Sequence, residues 1–494
     1  MRYSTMRYST TRHLMTTMTK FSAQTALYPA QQRAFDKLHR SKVAGLFMEM
    51  GIGKTRTYIE FVRHRQRTTS RVVWFCPVSI KETARQEILK HTDSAESDII
   101  TFDDRTSSRN IPLNRFWYII GIESMSSSDR VVLTADTLID ENTFVIVDES
   151  DLLKNPAAIR SRRIIALAHR AKRRVIGTGT PMSEGVIDLY AQMYLLSPKI
   201  LGYNSFWSFA RNHLEFHPDY PGLVVRNHNT GYLASRIAPY TYQVTKDEAL
   251  PDLPAKLYDN RYLSMTSEQR ELYNRAKWQI LMDAEELDSY IIFQLFTACQ
   301  QITSGFWNEL CDGHPVAFHE VPHERLDLLI DTIGRIPPSE KIVIWCKFRH
   351  SVQRIVERLS AEFNPDAITQ YHGDLREHER NQQKVRFVDE ARFFVATMQT
   401  AGRGLNELVC SNHAIFYENE FRYRSRLQAE DRQHRPGQTH RPTYIDLICS
   451  NSIDTRIRDA HDKKESVTAA FRRKLAQLRD LDSAERKQKL LEML

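Results

Sequence analysis

The chain has 494 residues, 41% of them hydrophobic, with 69 Lys plus Arg against 61 Asp plus Glu for a formal charge of +8. That length predicts two or three domains, the apolar share excludes a wholly disordered chain, and no apolar run reaches the ~18 residues of a membrane span, so no membrane partner is expected. The basic balance favours an anionic partner, and the six cysteines, with no C-x-x-C pair among them, fit free thiols better than a disulfide frame or a zinc site.

Residues 1–20 repeat Met-Arg-Tyr-Ser-Thr at 1–5 and 6–10 and contain no acidic residue. They read as a disordered leader, with a transit peptide as the other reading. Leu27 to Gln32 leads into a helical pattern that runs through His39. The Gln31 amide both donates and accepts, which makes it a candidate reader of an adenine edge.

An apolar run, Val43 to Met48, then meets Glu49-Met50-Gly51-Ile52-Gly53-Lys54-Thr55, and a helical pattern follows from about Arg56. Strand, glycine loop and helix are the context of a phosphate-binding loop. Gly51 and Gly53 let the main-chain N–H groups of this loop, Met50 and Ile52 included, come close to phosphate oxygens. Lys54 would reach the β- and γ-phosphates, and the Thr55 hydroxyl would ligate Mg²⁺. Met48 stands where the strict pattern has its first glycine.

Arg71 to Pro77 and Trp117 to Ile122 read as buried strands, with a helix over Ser79 to His91 between them. Phe144 to Val147 is a further strand, ending in Asp148-Glu149-Ser150. Carboxylates at the C-terminal end of a parallel strand stand where such sheets bind ligands. Asp148 would hold the Mg²⁺ shell and Glu149 would polarise the attacking water. Arg174 to Gly177 runs into Thr178-Gly179-Thr180-Pro181, either a plain turn or a relay of small hydroxyl residues.

Leu189 to Leu196 reads as helix, 203–242 shows little period, and Leu250-Pro251-Asp252-Leu253-Pro254 has the stiffness of a linker. Helical patterns cover 267–302. Alternation restarts with strands at Lys341–Cys346, Thr369–Gly373, Phe393–Thr397 and His413–Tyr417 and a helix at 351–363. The stretch from Gln428 to Gln438 carries Arg432 and Arg435, which on a helix would share one face and suit recognition of phosphate charge. The tail from 462 reads as a packing or surface helix.

Taken in order, these residues resemble the superfamily 2 helicase-like ATPases, and within them the Swi/Snf-type DNA translocases in a compact bacterial or viral form. Motif I is similar to Glu49–Thr55, motif Ia to Phe75–Ser79, motif II to Asp148–Ser150 with Leu153-Lys154-Asn155 after it, and motif III to Thr178–Pro181. Motif V is similar to Ala401–Asn406 and motif VI to Gln428–Gln438, while the block that usually carries Trp-Asn-Pro reads Tyr417-Glu418-Asn419-Glu420-Phe421.

The resemblance implies an α/β chain with two tandem RecA-like parallel-sheet lobes, helical insertions and a C-terminal helix. The expected division is lobe one at 21–245, with helical additions from about 200, a linker and helical insertion at 246–324, lobe two at 325–460 and the helix at 461–494. It implies ATP and Mg²⁺ in the cleft, held by Gln31, the loop from Met50 to Thr55, Gly404, Arg432 and Arg435. Lys54, Asp148, Glu149, Arg432 and Arg435 would be catalytic. Thr178, Gly179, Thr180, Gly402, Asn406 and Gln428 would couple the site to nucleic acid.

The activity implied is DNA-dependent ATP hydrolysis driving translocation on duplex DNA, with RNA not excluded and protein partners left open. A strand-separating helicase, a P-loop switch and a DNA-binding scaffold are the alternatives. The expected location is the cytoplasm of a bacterium or infected host cell, or the nucleus in a eukaryote.

Overall fold

The computed structural model describes residues 20–494 except 183–184, 218–221, 223, 285–288, 312–313, 402–404, 406, 468–469, 472–482 and 494. The expected leader at 1–20 lies outside the described residues but for Lys20.

The first lobe is a parallel sheet built from β1 (Val43–Met48), β2 (Val72–Cys76), β3 (Ile99–Thr101), β4 (Trp117–Gly121), β5 (Phe144–Asp148), β6 (Arg173–Gly177) and, after a small antiparallel hairpin of β7 (Leu214–Phe216) and β8 (Val224–Asn227), β9 (Thr241–Val244). The strand order is β3-β4-β2-β5-β6-β1-β9. The sequence Val-Val-Trp-Phe-Cys of β2 is buried at every position because both faces of the sheet are covered. Val73 and Phe75 join one apolar cluster, with Tyr118, Val145 and Val147. Val72 and Trp74 join the other, with Trp117 and Ile146. The period of two thus divides each strand between two helical layers.

The second sheet contains β10 (Leu257–Leu263), β13 (Ile342–Cys346), β14 (Ile368–Tyr371), β15 (Phe393–Thr397), β16 (His413–Phe416) and β17 (Thr443–Cys449), in the order β10-β17-β16-β13-β15-β14 and parallel throughout. Strand β10 falls in the stretch expected to be linker. It pairs with β17 along its whole length, Leu257 opposite Thr443 through Leu263 opposite Cys449, so the second lobe begins earlier in the chain than 325. Between β10 and β13 stand helices Ser267–Asp283 and Ser289–Thr303 and an antiparallel hairpin, β11 (Phe306–Cys311) with β12 (His314–Glu320). The helices share an apolar cluster with Phe421 and Ile457. The last described helix, Ser483–Met493, lies against the first of them, where Lys277 Nζ donates to Leu491 O at 3.1 Å.

The unusual block at 417–421 is internal. Glu418 is buried and accepts from the main-chain N–H groups of Lys347 at 2.8 Å and Phe348 at 3.2 Å, tying the end of β13 to that of β16. Among the described residues no helix is long and apolar enough to cross a membrane.

Candidate functional site

β1 ends in the glycine loop, β5 in the two acids, and β6 lies between them, so the loop and the acids share the C-terminal edge of the first sheet. Gly51 and Gly53 have φ of +84° and +89°, a region that disfavours any residue with a Cβ. A Cβ on Gly53 would also run into the amide of Gln31. That amide accepts from Tyr28 N at 2.9 Å and donates to Ile52 O and Gly53 O at 3.1 and 3.2 Å. Gln31 therefore braces the glycine loop, and its amide is engaged there rather than turned to a base edge. Lys54 opens the helix Lys54–Arg65 and donates from Nζ to Met48 O at 3.0 Å, folded back over its own loop.

Asp148 is buried at the end of β5 and receives a 3.0 Å hydrogen bond from the Tyr58 hydroxyl. Burial, reinforced by the charge of Glu149, pushes its carboxyl up to about 6. Glu149 has φ +54° and ψ +50°, a left-handed conformation that sets its carboxylate off the line of the strand. Thr178 Oγ1 donates to Asp151 Oδ1 at 2.9 Å, and Thr180 N donates to Thr178 Oγ1 at 3.1 Å. A Cβ on Gly179 would lie 3.2 Å from the N and Cγ of Met50. The Thr178–Thr180 turn is thus wedged between the glycine loop and the acidic segment.

The second lobe reaches this edge through the helix Tyr423–Glu430 and the turns after it. Arg432 and Arg435 were expected on one helix face, but the helix stops at Glu430 and both stand in those turns. The stop is anchored: His434 N donates back to Glu430 O at 3.0 Å and the Tyr444 hydroxyl donates to the same carbonyl at 2.8 Å. Arg432 and Arg435 nonetheless line one cavity of about 170 Å³ with Gly51, Lys54, Thr55, Asp148 and Glu149. Burial draws Arg435 below the ordinary arginine pKa, against the opposing charge of Glu87. Gln428, expected to couple to nucleic acid, lines the same cavity. Gly402, Gly404 and Asn406 lie outside the described residues.

Two contacts that sequence reasoning missed join the lobes beside this cavity. Arg424 Nη2 stands 2.7 Å from Glu149 Oε2, and its Nη1 pairs with Asp151. Lys246 pairs with Asp431, donates to His434 O at 2.9 Å, and gives its main-chain N–H to Glu49 Oε2 at 2.7 Å. For Arg424 a signal was present: with Gln428 and Asp431 it falls at i, i+4 and i+7, one stripe of a helix.

The SNF2-related domain matches residues 31–304, and the helicase conserved C-terminal domain matches 324–437. The chain belongs to the SNF2-related family. Its SNF2-related and C-terminal domains make it a Swi/Snf-type, helicase-like ATPase of superfamily 2. It is 24% identical over 454 residues to the ISWI chromatin-remodeling complex ATPase ISW2 of Saccharomyces cerevisiae, covering 85% of this chain and 38% of that one. It is 23% identical over 433 residues to the DNA annealing helicase and endonuclease ZRANB3 of Bos taurus, again 85% of this chain and 38% of the relative. The chain therefore spans about two fifths of the length of these relatives. The fold is also that of the Hef helicase domain of Pyrococcus furiosus, at a TM-score of 0.53 and 12% identity over 88% of this SNF2-related chain and 98% of that domain.

Proposed function

We propose that this SNF2-related chain is a DNA-dependent ATPase that couples hydrolysis to movement along duplex DNA. One observation carries the reading: a single cavity is lined by the glycine loop and acids of one sheet and by Arg432 and Arg435 of the other. Such a site is complete only with the lobes together, so each round of nucleotide binding and release changes how they sit.

The phosphates fit the 170 Å³ cavity against the helix N-terminus at Lys54. A cavity of about 510 Å³ lies alongside, lined by Tyr28, Arg33, Leu250, Pro251 and Gly437. Gln31 links the two linings, bonding Tyr28 of the larger cavity and Gly53 of the smaller. The nucleoside would occupy the larger cavity.

A divalent cation fits the donor set. Asp148 and Glu149 are adjacent carboxylates, and Asp148 is held half-protonated near pH 6 by burial beside the second charge, a strain that a cation relieves. Among the described residues no cluster of three His, Cys, Asp or Glu forms a closed metal cage. Thr55 and Asp148 alone leave the remaining positions to phosphate and water, as Mg²⁺ sites at nucleotides do. Mg²⁺ bound there would neutralise charge on the transferring phosphoryl group.

The chain's own groups would then act as follows. Lys54 swings from Met48 O to the β- and γ-phosphates. Glu149 orients a water whose oxygen attacks the γ-phosphorus as the bond to ADP breaks, and Arg432 and Arg435 stabilise the charge of the transition state. The products are ADP, inorganic phosphate and a proton.

The net charge of +8 suits a nucleic-acid polyanion, and the name of one relative includes DNA annealing. The test is ATP turnover with no nucleic acid, single-stranded DNA, duplex DNA and RNA, together with displacement of a third strand from a triplex. Stimulation by duplex DNA with triplex displacement is the expected result. Turnover with no response to any nucleic acid would replace this reading with a nucleotide switch.

The β11–β12 hairpin favours a second reading, strand separation. It exposes Leu310, Val316 and Phe318 and roots through Phe306, whose ring stands 5.5 Å from that of Phe348 just after β13. Unwinding of a forked duplex that is lost in Phe318→Ser would establish it.

A further inference from the structure

The contact of Arg424 with the acidic segment has no part in the reading above, and the geometry gives it one. Arg424 belongs to the second lobe, yet its guanidinium addresses two carboxylates of the first: Glu149 at 2.7 Å and the buried Asp151. A planar fork that grips two carboxylates fixes both in orientation, which an ammonium could not do. The anchor behind it is firm. Asp151 is 3% exposed and takes the Thr178 hydroxyl at 2.9 Å, and the turn that follows Thr178 packs on Met50 of the glycine loop. On its own side, Arg424 is carried by a helix whose next arginine, Arg426, is buried against Asp446 and Asn419. The fork therefore bridges buried, hydrogen-bonded groups of the two lobes. The backbone of Glu149 is left-handed just past the end of β5, and its carboxylate meets the Arg424 guanidinium of the second lobe.

We propose that Arg424 is a positioning residue for ATP hydrolysis: by gripping Glu149 against the Asp151 anchor, it fixes the water-orienting carboxylate only when the two lobes are docked. This rests on the ATPase reading above. Closure then does more than bring Arg432 and Arg435 to the phosphates. It also sets the group that directs the attacking water, so an open enzyme holding ATP turns over slowly even with Lys54 in place.

The experiment uses the full chain with saturating duplex DNA and compares Arg424→Gln and Arg424→Lys with the parent. Arg424→Gln keeps a hydrogen-bond donor beside the buried Asp151 but removes the charge, and Arg424→Lys retains the charge without the fork. The expected result is a fall in kcat of about 10- to 100-fold for Arg424→Gln, with KM for ATP changed less than about 3-fold. Arg424→Lys should recover part of that loss. A purely structural contact would not give this split between kcat and KM, nor the partial rescue by Arg424→Lys.

In a Glu149→Gln background, Arg424→Gln should cost nothing further. A kcat within 2-fold of the parent, an increase in kcat, or an equal further loss in the Glu149→Gln background would each overturn the proposal. A parent without Lys54-dependent turnover would instead overturn the ATPase reading itself, and the two failures are told apart by the parent alone.

Discussion

The Tyr58 hydroxyl donates a 3.0 Å hydrogen bond to Asp148 Oδ1, and Tyr58 has no exposed surface. Tyr58 lies one turn beyond Lys54 on the helix behind the glycine loop, so the residue expected to ligate Mg²⁺ is steered from the element expected to cradle phosphate. The bond favours the ionised carboxylate against the burial that opposes it. Tyr58→Phe should therefore weaken Mg²⁺ binding by about 3- to 10-fold, given ~1 kcal/mol for such a bond. The Mg²⁺ dependence of ATP turnover measures this, and an unchanged Mg²⁺ midpoint would contradict it.

The same carboxyl makes nucleotide-free stability depend on pH. Asp148 stands at about 6, above the ordinary carboxylate value near ~4, so the folded protein binds more protons than the unfolded chain between those limits. Its contribution is fully present below the unfolded value and is lost as pH rises through 6. Between pH 5 and 7.5, the Tm of the parent should fall relative to that of Asp148→Asn, which cannot titrate. Mg²⁺ binding should strengthen over the same interval, because the ligand form is the ionised one.

Lys246 is the second tie between the lobes. It is 4% exposed and pairs with Asp431, while its N–H is held by Glu49 of the glycine loop. Lys246→Met leaves Asp431 buried with Lys256 Nζ at 3.7 Å as a partial substitute. Losing one partner of a buried pair costs ~3–5 kcal/mol, and Lys256 should hold the loss to the lower end. Adding Asp431→Leu should return most of the stability measured by denaturant unfolding without returning turnover. Recovery of turnover would contradict a role in docking the lobes.

Gly177 closes β6 beside Tyr58, and a Cβ there would collide with the tyrosine hydroxyl. Gly177→Ala should displace Tyr58 from Asp148 and reproduce the Mg²⁺ defect of Tyr58→Phe. The double variant Gly177→Ala with Tyr58→Phe should be no weaker for Mg²⁺ than Tyr58→Phe alone.

Both sheets were legible where strands are buried on two faces, because Val72–Cys76, Phe144–Val147 and Ile342–Cys346 leave no alternation to misread. Strand β10 was not, since Leu-Tyr-Asp-Asn-Arg-Tyr-Leu is an edge strand with exposed Leu257, Tyr258 and Tyr262 and carries no apolar run. Glycine spacing singled out the loop at Met50–Thr55 and an apolar strand before two acids singled out Asp148 and Glu149, and residues of both line one cavity. The backbone of Arg432 and Arg435 was misjudged because the helix ends on the tertiary hydrogen bond from Tyr444, which no local pattern encodes. Lys246 carries no local signal, since its partner Asp431 lies far along the chain. Gln31 was singled out, but its engagement with Ile52 and Gly53 depends on how the first helix meets the loop.

The central claim is that one ATP site is assembled from both lobes. Its most direct measurement is steady-state ATP turnover of the full chain with duplex DNA, comparing the parent with Lys54→Ala and Arg435→Ala. The account predicts turnover that duplex DNA stimulates, that Lys54→Ala abolishes, and that Arg435→Ala lowers by about 10²-fold or more, as expected for an arginine acting on transition-state charge. Full turnover in Arg435→Ala would contradict it, because hydrolysis would then be complete within the first lobe.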